Sequence, residues 1–159
     1  MLTGYRIVFA RDVEHSLRAA QNPEGRFHHS GQPALYMSLS KSGAIAAVRY
    51  YAKADDPQRI MINLALSDAN LIDIRDAKMC DALGFSQDQS TIRWQNERKA
   101  GKAASTWQVS DKVRAKGVDG MIYTSRSQPD LSHLVLFRWN PPQLSTIGRP
   151  TSIEPGAWT

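Results

Sequence analysis

A single cysteine, Cys80, in 159 residues excludes an internal disulfide framework and a multi-cysteine zinc site. Long apolar runs are missing too: the longest strongly apolar one is "LVLF", Leu134 to Phe137, against the roughly 20 residues of a membrane helix. The N-terminus, "MLTGYRIVFARDVEHS", has no basic stretch leading into an apolar core, so a cytoplasmic protein is expected. Neither a Walker loop nor G-x-G-x-x-G occurs, which removes the glycine cradle as a way of holding phosphate. No G-x-S-x-G nucleophile elbow occurs either. No Asp or Glu lies between Glu24 and Asp55.

What is present is ordinary for one globular domain: 42% hydrophobic and 22% charged residues. Twenty Lys and Arg against 15 Asp and Glu give a net charge of +5, which favours an anionic partner. Nucleic acid, a phosphate-bearing small molecule and an acidic protein all qualify. The densest basic region, Arg93, Arg98, Lys99, Lys102, Lys112, Arg114 and Lys116, has acids mixed in and reads as a solvated helical surface. Trp94 and Trp107 fall where helix packing explains them, so nucleic-acid binding rests on charge alone.

Period-two alternation predicts a first strand over Tyr5–Ala10, with Tyr5, Ile7 and Phe9 on one face and Arg6 on the other. A short helix capped by Asp12 should follow. "ALYMS" reads as the second strand and "SGAIAAVRYYAK" as a closely packed helix. "RIMINLAL" and "NLIDI" are strands, and "DAKMCDALG" is a helix closed by Gly84. "STWQVSDKVRAKG" is a helix with capping-box spacing at Ser105 and Gln108. "DGMIYTS" and "HLVLFRWN" are two further strands. Elements mix without a βαβ rhythm, so the expectation is an α+β domain over residues 1–142. Residues 143–159, rich in Pro, Gly, Ser and Thr, are expected to be an irregular tail.

The loop "EGRFHHSGQPALYMS" concentrates the chemistry. His28 and His29 are neighbours that cannot share one ion on a strand, and His15 and His133 are isolated from them and from each other; no metal site is expected. Cys80 reads as a buried structural thiol. Arg6 and Arg26 carry planar forks suited to a diphosphate, and Tyr36 offers a face to a flat ring such as nicotinamide or adenine. Each also has a plain alternative: Arg6 in solvent, Arg26 paired with Glu24, Tyr36 as core.

The order of motifs resembles the RES-domain family, the toxin half of bacterial toxin–antitoxin pairs. "YR" stands in the first strand, "GRFHHSGQPALYMS" replaces a Gly-Arg-Trp-Asn-like loop, and "GAIAAVRYY" follows as a small-residue helix. "GVDGMIYTSRS" and "HLVLFRWN" complete a match over Tyr5 to Asn140. The resemblance implies a fold similar to ADP-ribosyltransferases, with a split antiparallel or mixed sheet and a cleft for NAD. It implies cleavage of the nicotinamide–ribose bond, by hydrolysis, phosphorolysis or transfer of ADP-ribose to a protein target. It also implies an Xre-like antitoxin partner, so that nucleic acid is met only indirectly.

On that resemblance Arg6, Arg26, Phe27, His28, Tyr36, Ser38 and Ser125 would contact NAD, and Arg6, Tyr36 and Ser125 would act in catalysis. The family's helix glutamate falls at Ala47. A carboxylate from elsewhere, such as Asp55, Asp56 or Glu97, a disabling substitution, or NAD binding without cleavage each account for that departure. A non-catalytic binding module for NAD or a protein is therefore the alternative to an enzyme.

Overall fold

A computed structural model describes residues 1–158. Alternation in the strand sequences builds a seven-stranded sheet in the order β4-β5-β6-β2-β1-β3-β7. Its strands are β1 (Leu2–Phe9), β2 (Leu35–Ser38), β3 (Arg59–Leu66), β4 (Leu71–Asp73), β5 (Gly120–Thr124), β6 (Ser132–Leu136) and β7 (Leu144–Ser152). Neighbours run antiparallel except β4 and β5, so the sheet is mixed. The expected α+β class therefore stands. The sheet is continuous rather than split, yet β1 and β2 join through one register pair, Tyr5 with Ser38.

Among the described residues four α-helices complete the domain: α1 (Lys41–Val48), α2 (Ala77–Leu83), α3 (Trp94–Lys99) and α4 (Ser105–Arg114). Ser40 caps α1 by accepting from the Gly43 amide at 3.0 Å. Gly84, with φ of 87°, ends α2 in the left-handed region, as its sequence position predicts. The helix expected after β1 is instead a single 3-10 segment, Ala10–His15, without a side-chain cap from Asp12. The capping box at Ser105 is also absent. Ser105 is the first helical residue, and Glu97 of α3 accepts from its amide at 2.8 Å. A carboxylate from a neighbouring helix thus replaces Gln108, which bonds Gln89 instead.

Apolar residues fill both faces of the sheet. One face carries Phe27, Ile74, Cys80, Val109, Val113, Met121, Tyr123 and Val135, covered by α2 and α4. The other carries Leu35, Met37, Ile62, Leu64, Leu134, Leu136 and Leu144, with Val13 and Leu17 packed against it. The supposed tail is part of this structure. Residues 144–152 form β7, which pairs along β3, and Leu144 is only 2% exposed. Its Pro150 and left-handed Gly148 (φ of 69°) made it read as loop, but an edge strand tolerates both, here beside a register shift between Met61 and Asn63.

Leu144→Ala is expected to destabilise the fold by about 2–5 kcal/mol in urea unfolding, as for other buried leucines. A change near zero would show that β7 is dispensable.

Candidate active site

Register fixes which side chains meet. Tyr5 pairs with Ser38, Tyr36 with Val135, and His133 with both Ser38 and Tyr123. Opposed residues share a face, so Tyr5, Tyr36, Ser38, Tyr123 and His133 all stand on the face covered by α1 and α4. Arg6 pairs with Ile62 and stands on the opposite face, where its Nη1 donates to the Ser16 carbonyl at 3.0 Å. Burial there holds its guanidinium at a pKa of about 10. The expected two-arginine grip of Arg6 and Arg26 is therefore corrected: a strand's alternation sends them to opposite sides of one sheet.

Arg26 sits at the centre of the other face. Its Nε and Nη2 donate to the Ser90 carbonyl at 3.1 and 2.6 Å, and Nη2 also reaches Thr124 O at 3.4 Å. The guanidinium lies 4.9 Å from the Phe27 ring centre and 4.8 Å from that of Tyr123. Burial lowers its pKa from the ordinary value, and no carboxylate acts on it. Glu24, its sequence neighbour, is taken by Arg98 at 2.9 Å. Arg26 Nη1 is left without a partner among the described residues.

The loop presenting Arg26 is clasped by α4. Thr106 donates its hydroxyl to Arg26 O, Trp107 Nε1 donates to Gly25 O at 2.8 Å, and Arg114 donates to Phe27 O at 3.0 Å and Pro33 O at 3.1 Å. His29 stacks on Trp107 and bonds Asp111 at 2.9 Å. His28 turns the other way, its Nε2 donating to Asn22 O at 2.9 Å. Its Nδ1 is then an acceptor for the Tyr36 hydroxyl at 2.7 Å, while that hydroxyl accepts from the Phe27 amide at 2.9 Å. Gly25 must lack a side chain, because a Cβ there would lie 2.2 Å from His28 Cε1.

These contacts change the roles expected from sequence. Phe27 has no exposed surface and meets Tyr123 edge-on, so it is core rather than a ligand contact. Tyr36 has both hydroxyl bonds used and its ring packed against the core, which leaves its face a poor stacking platform. Burial raises its pKa above the ordinary phenol value. Ser38 is 2% exposed, lies beneath Gly43 of α1 and shares a 2.7 Å hydrogen bond with His133 Nδ1. Ser125, 3% exposed, follows Tyr123 by two residues on the same face and accepts from the Gln128 amide at 3.3 Å. His28 is buried, and its bonds to Tyr36 and Asn22 make it a brace for the site.

Ala47 is exposed although it stands one turn beyond Gly43 on the same face of α1. Gly43 thus abuts Ser38 of β2, while Ala47, one turn on, faces solvent. The replacement carboxylates considered from sequence are placed elsewhere or already engaged: Asp56 bonds Arg59 at 2.8 Å, and Glu97 bonds Ser105. Tyr123, His133, Thr106, Trp107 and Arg114 were missed as site residues. Only their long-range pairing brings them to Arg26, and no local motif marks them. A cavity of about 510 Å3 lies between residues 52–59 and the C-terminal segment around Trp158. Its arginine, Arg59, is already paired with Asp56, so the unpaired cation at Arg26 is the better mark of a binding site.

A RES-domain family model matches residues 3–159. The chain belongs to the RES-domain family. No curated protein matches it. Among solved structures, the M. tuberculosis MbcT–MbcA toxin–antitoxin complex contains a chain similar to this RES domain, with a TM-score of 0.65 at 19% identity. The match covers 99% of this RES domain and 86% of that chain. No helix among the described residues is long and apolar enough to cross a membrane.

Burial, helped by the Arg26 charge, holds the His133 imidazole at a pKa of about 4 against an ordinary 6.5. The unfolded chain therefore binds a proton between those values that the folded chain refuses, and stability falls as pH drops through that window. His133→Gln is expected to flatten this decline in urea titrations. An unchanged slope would place the acid sensitivity elsewhere.

Proposed function

We propose that this RES domain is the toxin of a toxin–antitoxin pair, binding NAD in the cleft beneath α1 and cleaving its nicotinamide–ribose bond. The observation that carries the reading is Arg26: a desolvated guanidinium, oriented by two backbone carbonyls, with no carboxylate partner and one nitrogen left over. Such a group is prepared for an anion, and a diphosphate supplies the charge-assisted hydrogen bonds it lacks. Family membership and the place of the similar chain in a toxin–antitoxin complex support the same assignment. An antitoxin, of the Xre-like kind the family resemblance suggests, would be the protein partner, and the net charge of +5 suits an acidic surface on it.

In the reaction, the bond between C1′ of the ribose and the nicotinamide nitrogen breaks. The electron pair leaves with the nicotinamide, which departs neutral, and positive charge builds on the ribose ring. An acceptor oxygen from water, phosphate or a protein side chain attacks C1′ and gives up its proton. Arg26 fixes the diphosphate so that the ribose is held for attack. Tyr36, locked by His28 and the Phe27 amide, is a fixed dipole at the cleft floor, and His133 stays neutral beside it. A preorganised polar floor of this kind favours the charge change over solvent that must reorient.

Ala47 favours a second reading, a module that binds NAD without turnover. Loss of one charge-stabilising group typically costs on the order of 10²–10³ in rate, so slow cleavage is expected rather than none. Purified protein incubated with NAD, with and without phosphate, should release nicotinamide slowly, and Ala47→Glu should accelerate release. Silence in both proteins, with NAD bound, would favour the binding module.

The two arginines make separable predictions. Arg26→Ala should weaken NAD binding by about 1.5–3 kcal/mol in calorimetry, while Arg6→Ala should lower stability and leave NAD affinity unchanged. Equal affinity loss in both would contradict the placement of the site on one face.

A further inference from the structure

The proposed site has a cation and fixed hydroxyls, but among the described residues assigned to it none offers a free aromatic face for the flat rings that NAD carries. Tyr36 was the sequence candidate, and its ring is packed into the core. Another tyrosine is better placed. Gly43, Ala47 and Tyr50 stand at i, i+4 and i+7, one stripe of a helix. α1 ends at Val48, but the Ala52 amide still donates to Val48 O at 3.1 Å, so the turn carrying Tyr50 continues the helical path.

Gly43, at one end of the stripe, rests on Ser38, and Ala47, in the middle, is exposed. Tyr50, at the far end, is 76% exposed, an unusual state for a large ring on the sheet-facing stripe of a helix. Its neighbour Tyr51 is anchored, its hydroxyl accepting from Gln95 of α3 at 3.2 Å. α3 is tied in turn to the Arg26 loop through Arg98 and Glu24. The end of α1 is thus held beside α3 and the Arg26 loop, with the Tyr50 ring presented to solvent.

We infer that Tyr50 is the stacking residue of the cleft, closing over a flat heteroaromatic ring of the bound dinucleotide while Arg26 holds the diphosphate. The inference rests on the NAD reading above and adds the residue that selects for a planar ring. It also gives the Gly43–Ala47 stripe a role, since small side chains leave room for that ring between helix and sheet. A stacked base loses roughly tenfold or more in affinity when its aromatic partner is truncated.

Calorimetry on purified wild-type, Tyr50→Phe and Tyr50→Ala proteins tests it, with NAD and ADP-ribose as the probes. Because Tyr50 is exposed, both variants should keep the wild-type melting temperature. NAD affinity should fall about tenfold in Tyr50→Ala and stay within about twofold in Tyr50→Phe. If ADP-ribose affinity falls equally in Tyr50→Ala, the stacked ring is adenine; if it is unchanged, the ring is nicotinamide. Wild-type affinity for NAD in Tyr50→Ala would overturn the inference alone. Loss in Tyr50→Phe equal to that in Tyr50→Ala would overturn it too, since the hydroxyl would then be the contact. No NAD binding by the wild type would overturn both the NAD reading and this inference.

Discussion

A buried guanidinium without a carboxylate is the constraint on which this structure turns. Removing a charge from water is costly unless hydrogen bonds replace the lost hydration. Around Arg26 the replacements are the carbonyls of Ser90 and Thr124 and the faces of Phe27 and Tyr123. A carboxylate would neutralise the site more fully, and it would also remove the reason for an anion to bind. Carbonyl dipoles orient the charge and leave it uncancelled.

Holding that arrangement requires segments far apart in the chain. Ser90 comes from a 3-10 turn before α3, Thr124 from the end of β5, and the loop itself from residues 24–28. Helix α4 supplies the clasp, through Thr106, Trp107 and Arg114 on successive loop carbonyls. Each of these bonds satisfies a loop carbonyl that would otherwise lie buried and unpaired. Below the loop, the paired His28 and Tyr36 and the paired Ser38 and His133 form a polar layer inside an otherwise apolar face. The seam between β1 and β2, crossed by one register pair, lies at the same place, and α1 spans it. One continuous sheet with a thin seam under α1 thus stands in place of two separate sheets.

Much of this fold is readable from alternation. β1, β3, β5 and β6 lie where apolar runs mark strands, although β3 and β6 are buried on both faces rather than alternating, and α4 follows its helical period. What escaped has physical causes. β7 is an edge strand with eight exposed residues, so it carries no apolar period, and Gly148 and Pro150 imitate a loop. α3 is six residues long with none buried, too short and too polar to stand out. Of the candidate-site residues, Arg26, His28, Tyr36, Ser38 and Ser125 lie in short motifs that the sequence displays. Arg6 was visible for the same reason and misplaced, since a strand's own pattern says which residues oppose each other but not which face meets which neighbour. That knowledge came only from the pairing of Tyr5 with Ser38 and Arg6 with Ile62. His133 and the α4 clasp depend on contacts made across the whole chain, and no local spacing announces them.

The central claim is that one face of the sheet, the face of Arg26, is the dinucleotide site. An NMR titration of backbone amides with NAD tests it most directly. The account predicts saturable shifts at Arg26, Ala47, Tyr50 and Tyr123, with Ser16 and Ile62 behind the sheet unmoved. Shifts centred on Arg6, Ser16 and Ile62, or on the cavity around Arg59, would contradict it.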